Sequence, residues 1–597
     1  MKLTKTNYLN NKNINSAGMT ANKYKFGNKI SDYILWCLTA ITFLGLIKTI
    51  FISWDIDEGY AVAQAYRLVQ GDKLLLDMWE PHQLSAYLPA FFMKIFIYVT
   101  GSTDYIVIYL RVIGIIIHAA LGFWLYKTAC NYVGRKESML LNLLHVNFLA
   151  KWVQIPEFEL MNYWYLLLVF LCFLTYYNIS KKKIYLVISG ICMMLQICNY
   201  PTMIFLYPFY MVGMFVQERN HSGRIPIKDM VITTASAVIP GLVFVGYLFS
   251  YMDWKTFVNA VSHVMSDPSH TQQTLLEKFG DFGCDTALDI GKSLLLFGII
   301  FGVVYVISKR YFRDIKIKNI ILVSFLTETI VYCAGMCFGC LFGDQNQFYL
   351  QIRYLIIAVT GVFIYFVYQR KEGVIYWFGI IPGFIAMIAA LFVTNMTINV
   401  GYSKLFICSI STFLLLFMTL KENGTMGYGM KIISGLGYVA VLVSLILCRI
   451  LLIRVTSCLP VTINADLAQV TNGPLKGIYM VERNAKTINR NSLLISEYVD
   501  AEDNFLYFGC EDILYLCTDA QISAASVQGT SVFNEDFLEY LEEHPEKYPT
   551  VIAVDKNFRS DYYRVYNPYN YIMADWIEYE FEYTEKIETD DMILYIR

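Results

Sequence analysis

Residues 53–89 read SWDIDEGYAVAQAYRLVQGDKLLLDMWEPHQLSAYLP, and the architecture turns on them. A long apolar segment, Asp32 to Trp54, runs straight into three carboxylates, Asp55, Asp57 and Glu58. Charge at the mouth of a membrane helix is costly unless it has a task or a partner. A helical pattern follows from about Gly59 to Gln70, and Gly71 is a natural C-terminal stop. Asp57 and Glu58 therefore fall at or just before a helix N-terminus, where the macrodipole favours carboxylate charge. Asp77, Trp79, Glu80, Pro81 and His82 come next, ahead of a second apolar run. Two acid clusters flanking a short helix at the membrane surface are expected to face one cavity. The rest of the chain then reads as the scaffold of that cavity and a soluble tail.

The composition agrees. The 597 residues are 56% hydrophobic and only 16% charged, and mean hydropathy is +0.45. A soluble protein of this size carries about 25% charged residues, so the chain is an α-helical polytopic membrane protein. A net charge of -2 without a basic stripe gives no reason to expect nucleic acid. Most of the 14 cysteines lie in apolar segments, where they act as small hydrophobes. The seven histidines are scattered, which argues against a zinc site. No internal repeat is visible, against a transporter built from two similar halves.

Residues 1–31 are polar, with Lys2, Lys5, Lys12, Lys23, Lys25 and Lys29 and no acid. They read as a cytoplasmic tail before a first span near 32–54, too long and without the small-residue site of a cleaved signal. The positive-inside rule then puts Asp57 and Glu58 on the outer face. Residues 84–100, about 17 with Pro89 and Lys94 inside, are marginal for a span. We read them as interfacial or re-entrant, giving a first outer loop over 55–104 with two non-spanning helices. Further spans are expected near 105–127, 138–153, 160–180, 184–200, 202–217, 229–251, 292–308, 319–342, 354–369, 374–394, 404–420 and 432–453, about 13 in all. The inner loops hold the cations, among them Lys181-Lys182-Lys183, Arg219, Arg224, Lys309, Arg310, Arg370 and Lys371. An odd number of spans puts 454–597 outside. That tail is more acidic, with strand-like runs Asn504–Phe508, Thr550–Val554 and Met592–Ile596 and a helical stretch Asn534–Glu543. Such alternation suggests a small α/β domain. Cys510 and Cys517 lie there, and a disulfide or two thiols are equally open readings.

The acids can be a solvated cap or a catalytic group, and in isolation the two readings weigh about equally. Asp55-x-Asp57 has the form of a D-x-D metal and nucleotide-sugar motif, but nucleotide-sugars are normally absent from the outer compartment. A donor there must be lipid-borne. The order of features is more specific: a first span, Asp57-Glu58, a helix with Tyr60, Ala61 and Arg67, then Gly71-Asp72, WEPHQLSAYLPAFF, and a span with Leu110-Arg111. Residues 32–127 thereby resemble the membrane GT-C glycosyltransferases, in particular relatives of protein O-mannosyltransferases and of the lipid A aminoarabinose transferase. Glu80-Pro81-His82-Gln83-Leu84 stands where that family carries a Lys-Pro-Pro-Leu-like stretch. Beyond 127 the likeness is one of topology only, to about 453. Thirteen spans with an outer C-terminal domain also resemble the aminoarabinose transferase.

The resemblance implies an inverting transfer of a sugar from a polyprenyl-phosphate carrier to an envelope glycan, lipid or protein acceptor at the cell membrane. A phosphate ester is already a good leaving group, so the main need is a base for the acceptor hydroxyl. Asp57 matches the family's aspartate and is the candidate base. Glu58 would position the acceptor or tune Asp57, since neighbouring carboxylates raise each other's pKa. Asp55 would support them. Relatives often carry an acid in the second outer loop, here Glu157, with Glu159 as the alternative to it and a solvated turn carboxylate as the plain reading. A divalent ion, if used, would take oxygens from Asp57, Glu157 and phosphate. The carrier phosphate needs outer-side cations. Arg353, in GDQNQFYLQIRYLI, has the fork for it, with Gln345, Asn346 and Gln347 as hydrogen-bonding neighbours. The alternative for Arg353 is a snorkelling interfacial anchor. Lys94 and Arg67 are weaker candidates. Arg111 is expected in an ion pair with a first-loop acid, and Glu80 and His82 near substrate.

The outer loop 252–291, with His263, His270, Glu277, Lys278 and Asp281, is expected to be either a lid over the site or partly disordered. The rival to an enzyme is a transporter or lipid-glycan flippase, which predicts acids at mid-membrane. Glu328 is the clear intramembrane acid, whereas the strongest acid cluster is interfacial. A second rival is an enzyme fold used only for binding or scaffolding.

Overall fold

The computed structural model describes residues 17–150, 154–265, 274–311, 315–343, 351–368, 370, 373–393, 401–422, 428–453, 461–528, 535–556 and 570–597. Helix α1 (Ala17–Phe51) leads into α2 (Ile56–Gln70), and Gly71 ends α2 in the left-handed region at φ 110°. α3 (Tyr87–Thr100) and α4 (Ile106–Ala129) complete the first quarter of the membrane part. Then come α5 (Arg135–Asn147), α6 (Phe158–Asn178), α7 (Ile184–Asn199), α8 (Leu206–Ser222), α9 (Ile227–Leu248) and α10 (Trp254–Met265). The set closes with α11 (Leu275–Tyr311), α12 (Ile317–Phe342), α13 (Arg353–Val367), α14 (Ile381–Val393), α15 (Phe406–Glu422) and α16 (Tyr428–Leu451).

Among the described residues ten helices are long and apolar enough to cross a membrane, and α7 and α13 are shorter apolar helices. The chain is a multi-pass membrane protein. α6 and α15 sit inside the bundle, and Phe170, Phe378, Leu414 and Leu415 fill its core. α11 instead turns Leu294, Leu295, Ile299 and Val303 outward, as lipid requires. Two expected spans come out short. α5 has 13 residues, about 20 Å of helix against about 30 Å of hydrocarbon. It is sheltered by protein: His145 Nδ1 meets the Tyr163 hydroxyl at 2.6 Å and Asn147 donates to Thr42 Oγ1 at 2.8 Å. The expected span near 202–217 is a 3-10 turn, Pro201–Phe205, followed by α8, whose last turns are polar.

The segment Gln83–Thr100 has the apolar length of a span. Its two ends, however, meet the same small domain. Before it, Glu80 accepts from the Val527 backbone N–H at 3.1 Å; after it, Asp104 pairs with Lys476 at 2.8 Å.

That domain follows α16. Short strands β1 (Leu452–Ile453) and β2 (Val461–Thr462) pair antiparallel, as do β3 (Leu467–Gln469) and β4 (Tyr479–Val481). Helix α17 (Glu482–Tyr498) leads to β5 (Asn504–Phe508) and β6 (Gln521–Ile522). After α18 (Glu535–Glu543), β7 (Val551–Asp555), α19 (Asn570–Tyr579), β8 (Glu585–Glu588) and β9 (Met592–Ile596), the sheet order is β6-β5-β7-β9-β8. β5 is parallel to β6 and β7, and β9 antiparallel to β7 and β8. β5 and β7 are nearly continuous apolar runs, as strands covered on both faces must be. Cys510 and Cys517 are not joined by a disulfide in this structure.

The loop that follows α1 and this domain share one core. Trp54, Val62 and Met78 pack in the same cluster as Tyr507, Ile513 and Leu594. The catalytic candidates are therefore set on a body built from both ends of the chain.

Candidate active site

Asp55 is extended at φ -130° and caps α2, its carboxylate accepting from the Asp57 backbone N–H at 2.9 Å. Asp57 and Glu58 occupy the first turn. Glu58 is buried and gripped by Arg111, whose Nε reaches Oε1 at 2.7 Å and Nη2 reaches Oε2 at 2.5 Å. The other Arg111 N–H groups donate to the carbonyls of Thr49, Ile50 and Ser53 at 3.2, 3.1 and 2.8 Å. One guanidinium thus closes the C-terminus of α1 and neutralises Glu58 at the start of α2. Ser53, between them, has φ 93°, a strained value for a side-chain-bearing residue, and its N–H is held by the Tyr479 carbonyl at 2.9 Å.

Behind this turn lie two adjoining cavities, which share Leu149, Cys448 and Arg449. The first is lined by three cations (Lys48, Arg111, Arg449) and two carboxylates (Asp55, Glu58). The second adds Arg353, Tyr354, Gln351 and Ser403 and no carboxylate. Arg449 is buried and donates to the Val146 carbonyl at 2.8 Å, Gln154 Oε1 at 3.2 Å and Thr49 Oγ1 at 3.5 Å. All three acceptors are neutral, and among the described residues Nε has no hydrogen-bond partner. Lys48 donates only to the Leu452 carbonyl. Among the described residues neither Lys48 nor Arg449 has a carboxylate partner. Buried charge without a counter-ion costs several kcal/mol. Arg353 is also fully buried, its Nη2 3.1 Å from the Tyr354 hydroxyl. It lines the second cavity rather than snorkelling out.

The loop before α6 approaches this site closely. At Gly114 of α4 an added Cβ would lie 1.7 Å from the Gln154 carbonyl oxygen, so only glycine lets the two backbones meet there. Glu157 caps α6, accepting from the N–H groups of Glu159 and Leu160 at 2.7 and 2.5 Å. Glu159 pairs with Lys404. His82 stands at φ 60° and stacks on Phe158, ring centroids 3.8 Å apart, which brings the end of the second acid cluster against α6. No three His, Cys, Asp or Glu side chains converge as a metal cage among the described residues. Glu157 is engaged as a helix cap.

Other expected residues are placed differently. Glu80 and Arg67 are fully buried and bonded to each other and to the C-terminal domain. Glu80 also accepts from Ser526 and Val527, and Arg67 holds Asp72 at 2.7 Å. Both are interdomain ties, not substrate contacts, because their polar atoms are consumed inside the protein. Lys94 is exposed on α3. Gln345, Asn346, Gln347 and His270 lie outside the described residues. From 252–291, His263 stacks on Trp79 at 4.2 Å and Asn259 reaches Glu543 at 3.2 Å. Glu328 accepts from Ser293 at 2.6 Å. Cys337 and Cys340 have C-x-x-C spacing within α12, as free thiols in apolar surroundings.

Sequence reading passed over Lys48, Arg449, Trp54 and Glu511. A signal existed for the first two: each is a cation inside the outer end of an apolar run. Glu511 accepts from the Trp54 indole N–H at 2.7 Å across 457 positions of sequence, which no local pattern announces.

No family model matches the chain, and no curated protein matches it in sequence. Solved structures of similar fold include the oligosaccharyltransferase AglB of Archaeoglobus fulgidus in complex with an inhibitory peptide and a dolichol-phosphate. It is 13% identical over 91% of this chain and 72% of that one, with a TM-score of 0.44. The same organism's oligosaccharyltransferase with Zn and sulfate gives 12% identity over 89% and 69%, TM-score 0.41. Its form tethered to an acceptor peptide containing the NVT sequon gives 12% over 92% and 71%, TM-score 0.43.

Proposed function

We propose that the protein is a GT-C glycosyltransferase that moves a sugar, with inversion, from a polyprenyl-phosphate carrier to an envelope glycan, lipid or protein on the outer face of the membrane. The observation that carries this reading is Arg449, a buried guanidinium without a carboxylate, in a cleft that also contains Lys48 and adjoins Arg353. A carrier phosphate supplies the missing anion.

Asp57 accepts the proton of the acceptor hydroxyl as that oxygen attacks the anomeric carbon. The bond from the anomeric carbon to the phosphate oxygen breaks, and its electron pair leaves with the polyprenyl phosphate. Charge grows on the phosphate as it departs, and Arg449, Lys48 and Arg353 meet it in a site closed to bulk water. One in-line displacement inverts the centre. Glu58 fixes the turn through Arg111 rather than exchanging protons. Asp55 holds the Asp57 backbone, which keeps reacting groups in register.

The test is a radiolabelled transfer assay in proteoliposomes with a panel of polyprenyl-phosphate sugars and an envelope extract as acceptor. Label moving to acceptor with release of polyprenyl phosphate supports the reading. Label that crosses the bilayer without chemical transfer supports a flippase instead.

A further inference from the structure

Glu511 is a buried carboxyl of the C-terminal domain that points at the catalytic turn. It follows β5, at the carboxyl end of the parallel strands β5 and β7, and is 8% exposed. Its Oε2 accepts the indole N–H of Trp54 at 2.7 Å. Trp54 is itself 2% exposed and packs over Gly59, where an added Cβ would lie 3.0 Å from the ring and 3.5 Å from the Ile513 backbone nitrogen. The next residue, Asp55, caps α2 and fixes the Asp57 N–H. A short relay therefore runs from the tail to the candidate base: Glu511, Trp54, Asp55, Asp57.

Among the described residues the charges that act on Glu511 are acidic. Asp55 faces it from the start of α2 and Asp555 from the end of β7. From β5 the Tyr507 hydroxyl meets the Glu511 backbone N–H at 3.4 Å, and Asp512 follows on its own turn. α17 packs on the same turn through Ser492 and Cys517, and its charged side chains form no ion pair with Glu511. No Lys or Arg pairs with Glu511 among the described residues. A carboxylate buried among carboxylates with no cation is unfavourable.

We propose that Glu511 is a positioning residue, tying the C-terminal domain to Trp54 so that the Asp55–Asp57 turn is held for acceptor activation. This rests on the transferase reading above. Burial, helped by Asp555 and Asp55, raises the Glu511 carboxyl to about 8. Above that value the group gains charge beside Asp555 and Asp55, and that repulsion, not any loss of the Trp54 bond, strains the turn and lowers turnover. The sign for stability follows: an acid whose pKa is raised on folding holds its proton in the folded state only, so its contribution is greatest at low pH. It declines as pH rises from the ordinary carboxylate range to about 8.

The experiment compares wild type, Glu511→Gln, Glu511→Ala and Trp54→Phe in proteoliposomes. Transfer is followed from pH 6 to 9, together with thermal unfolding over the same range. Glutamine keeps the acceptor for Trp54 and cannot ionise. Glu511→Gln is expected to match wild type at pH 7 and to lose the alkaline limb of both kcat and unfolding temperature. Glu511→Ala and Trp54→Phe are expected to lower kcat several-fold at every pH with donor KM within twofold. An unchanged alkaline limb in Glu511→Gln, or wild-type kcat in Glu511→Ala, would overturn the proposal. If wild type transfers no sugar, unfolding still decides: a flattened pH dependence in Glu511→Gln supports the tie and rejects only the reaction. Identical unfolding profiles reject the tie.

Discussion

Arg111 grips Glu58 with two arms of its guanidinium, Nε to Oε1 at 2.7 Å and Nη2 to Oε2 at 2.5 Å, both side chains buried. The pair joins α4 to the first turn of α2, and its remaining N–H groups bond carbonyls at the end of α1. Of the two adjacent acids, one is thus committed to architecture.

Removing one half of that pair leaves a buried charge unmatched. Arg111→Leu and Glu58→Ala should each destabilise the protein by about 3–5 kcal/mol. Thermal unfolding in detergent measures this. An unfolding temperature equal to wild type in either variant would mean that the pair is not the tie described here.

The interface between the outer loop and the C-terminal domain is held by ionic contacts. Asp72 lies 2.7 Å from Arg67 Nε and 2.6 Å from Lys547 Nζ, and Glu80 reaches Ser526 and Val527. Arg67→Ala leaves buried Glu80 without its cation and Asp72 with Lys547 alone, again at about 3–5 kcal/mol. Limited proteolysis should then cut between the membrane part and the tail at protease levels that spare wild type. Equal resistance of both would contradict the interface.

Gly114 sets how near the Gln154 loop comes to α4. A methyl group there would overlap backbone that has no means of moving aside, with a Cβ 1.7 Å from an oxygen. Gly114→Ala should cost about 1–3 kcal/mol or more and displace Gln154, a partner of Arg449. Its unfolding temperature should fall, and its apparent affinity for polyprenyl phosphate with it.

Arg449→Gln removes the charge of the anion cleft and keeps hydrogen-bonding capacity toward Gln154 and Val146. On the proposed reading, donor KM rises about 10–100-fold while unfolding temperature changes little. Inhibition by free polyprenyl phosphate should weaken by the same factor. Unchanged KM and inhibition would remove Arg449 from phosphate recognition.

The sequence was most legible where local rules act. The α2 helix, its glycine stop, and the strands at Asn504–Phe508 and Met592–Ile596 follow from caps, periodicity and apolar runs. Arg111 was expected beside a first-loop acid, and it is. What local rules cannot reveal is closure over distance. Arg67 and Glu80 resemble surface charges in sequence and turn inward only because Val527 and Asp72 wait for them. Trp54 finds Glu511 through a core shared by both ends of the chain. Arg449 looks like the end of a span until Lys48 and Arg353 are seen around the same cleft.

The central claim is that Asp57 is the base for sugar transfer from a lipid phosphate, and Asp57→Asn tests it most directly. Amide for carboxylate preserves size and the α2 turn, so unfolding temperature should stay near that of wild type. The initial rate of transfer in proteoliposomes should fall by about 100-fold or more, with binding of polyprenyl phosphate intact. Wild-type transfer by a folded Asp57→Asn protein would contradict the account.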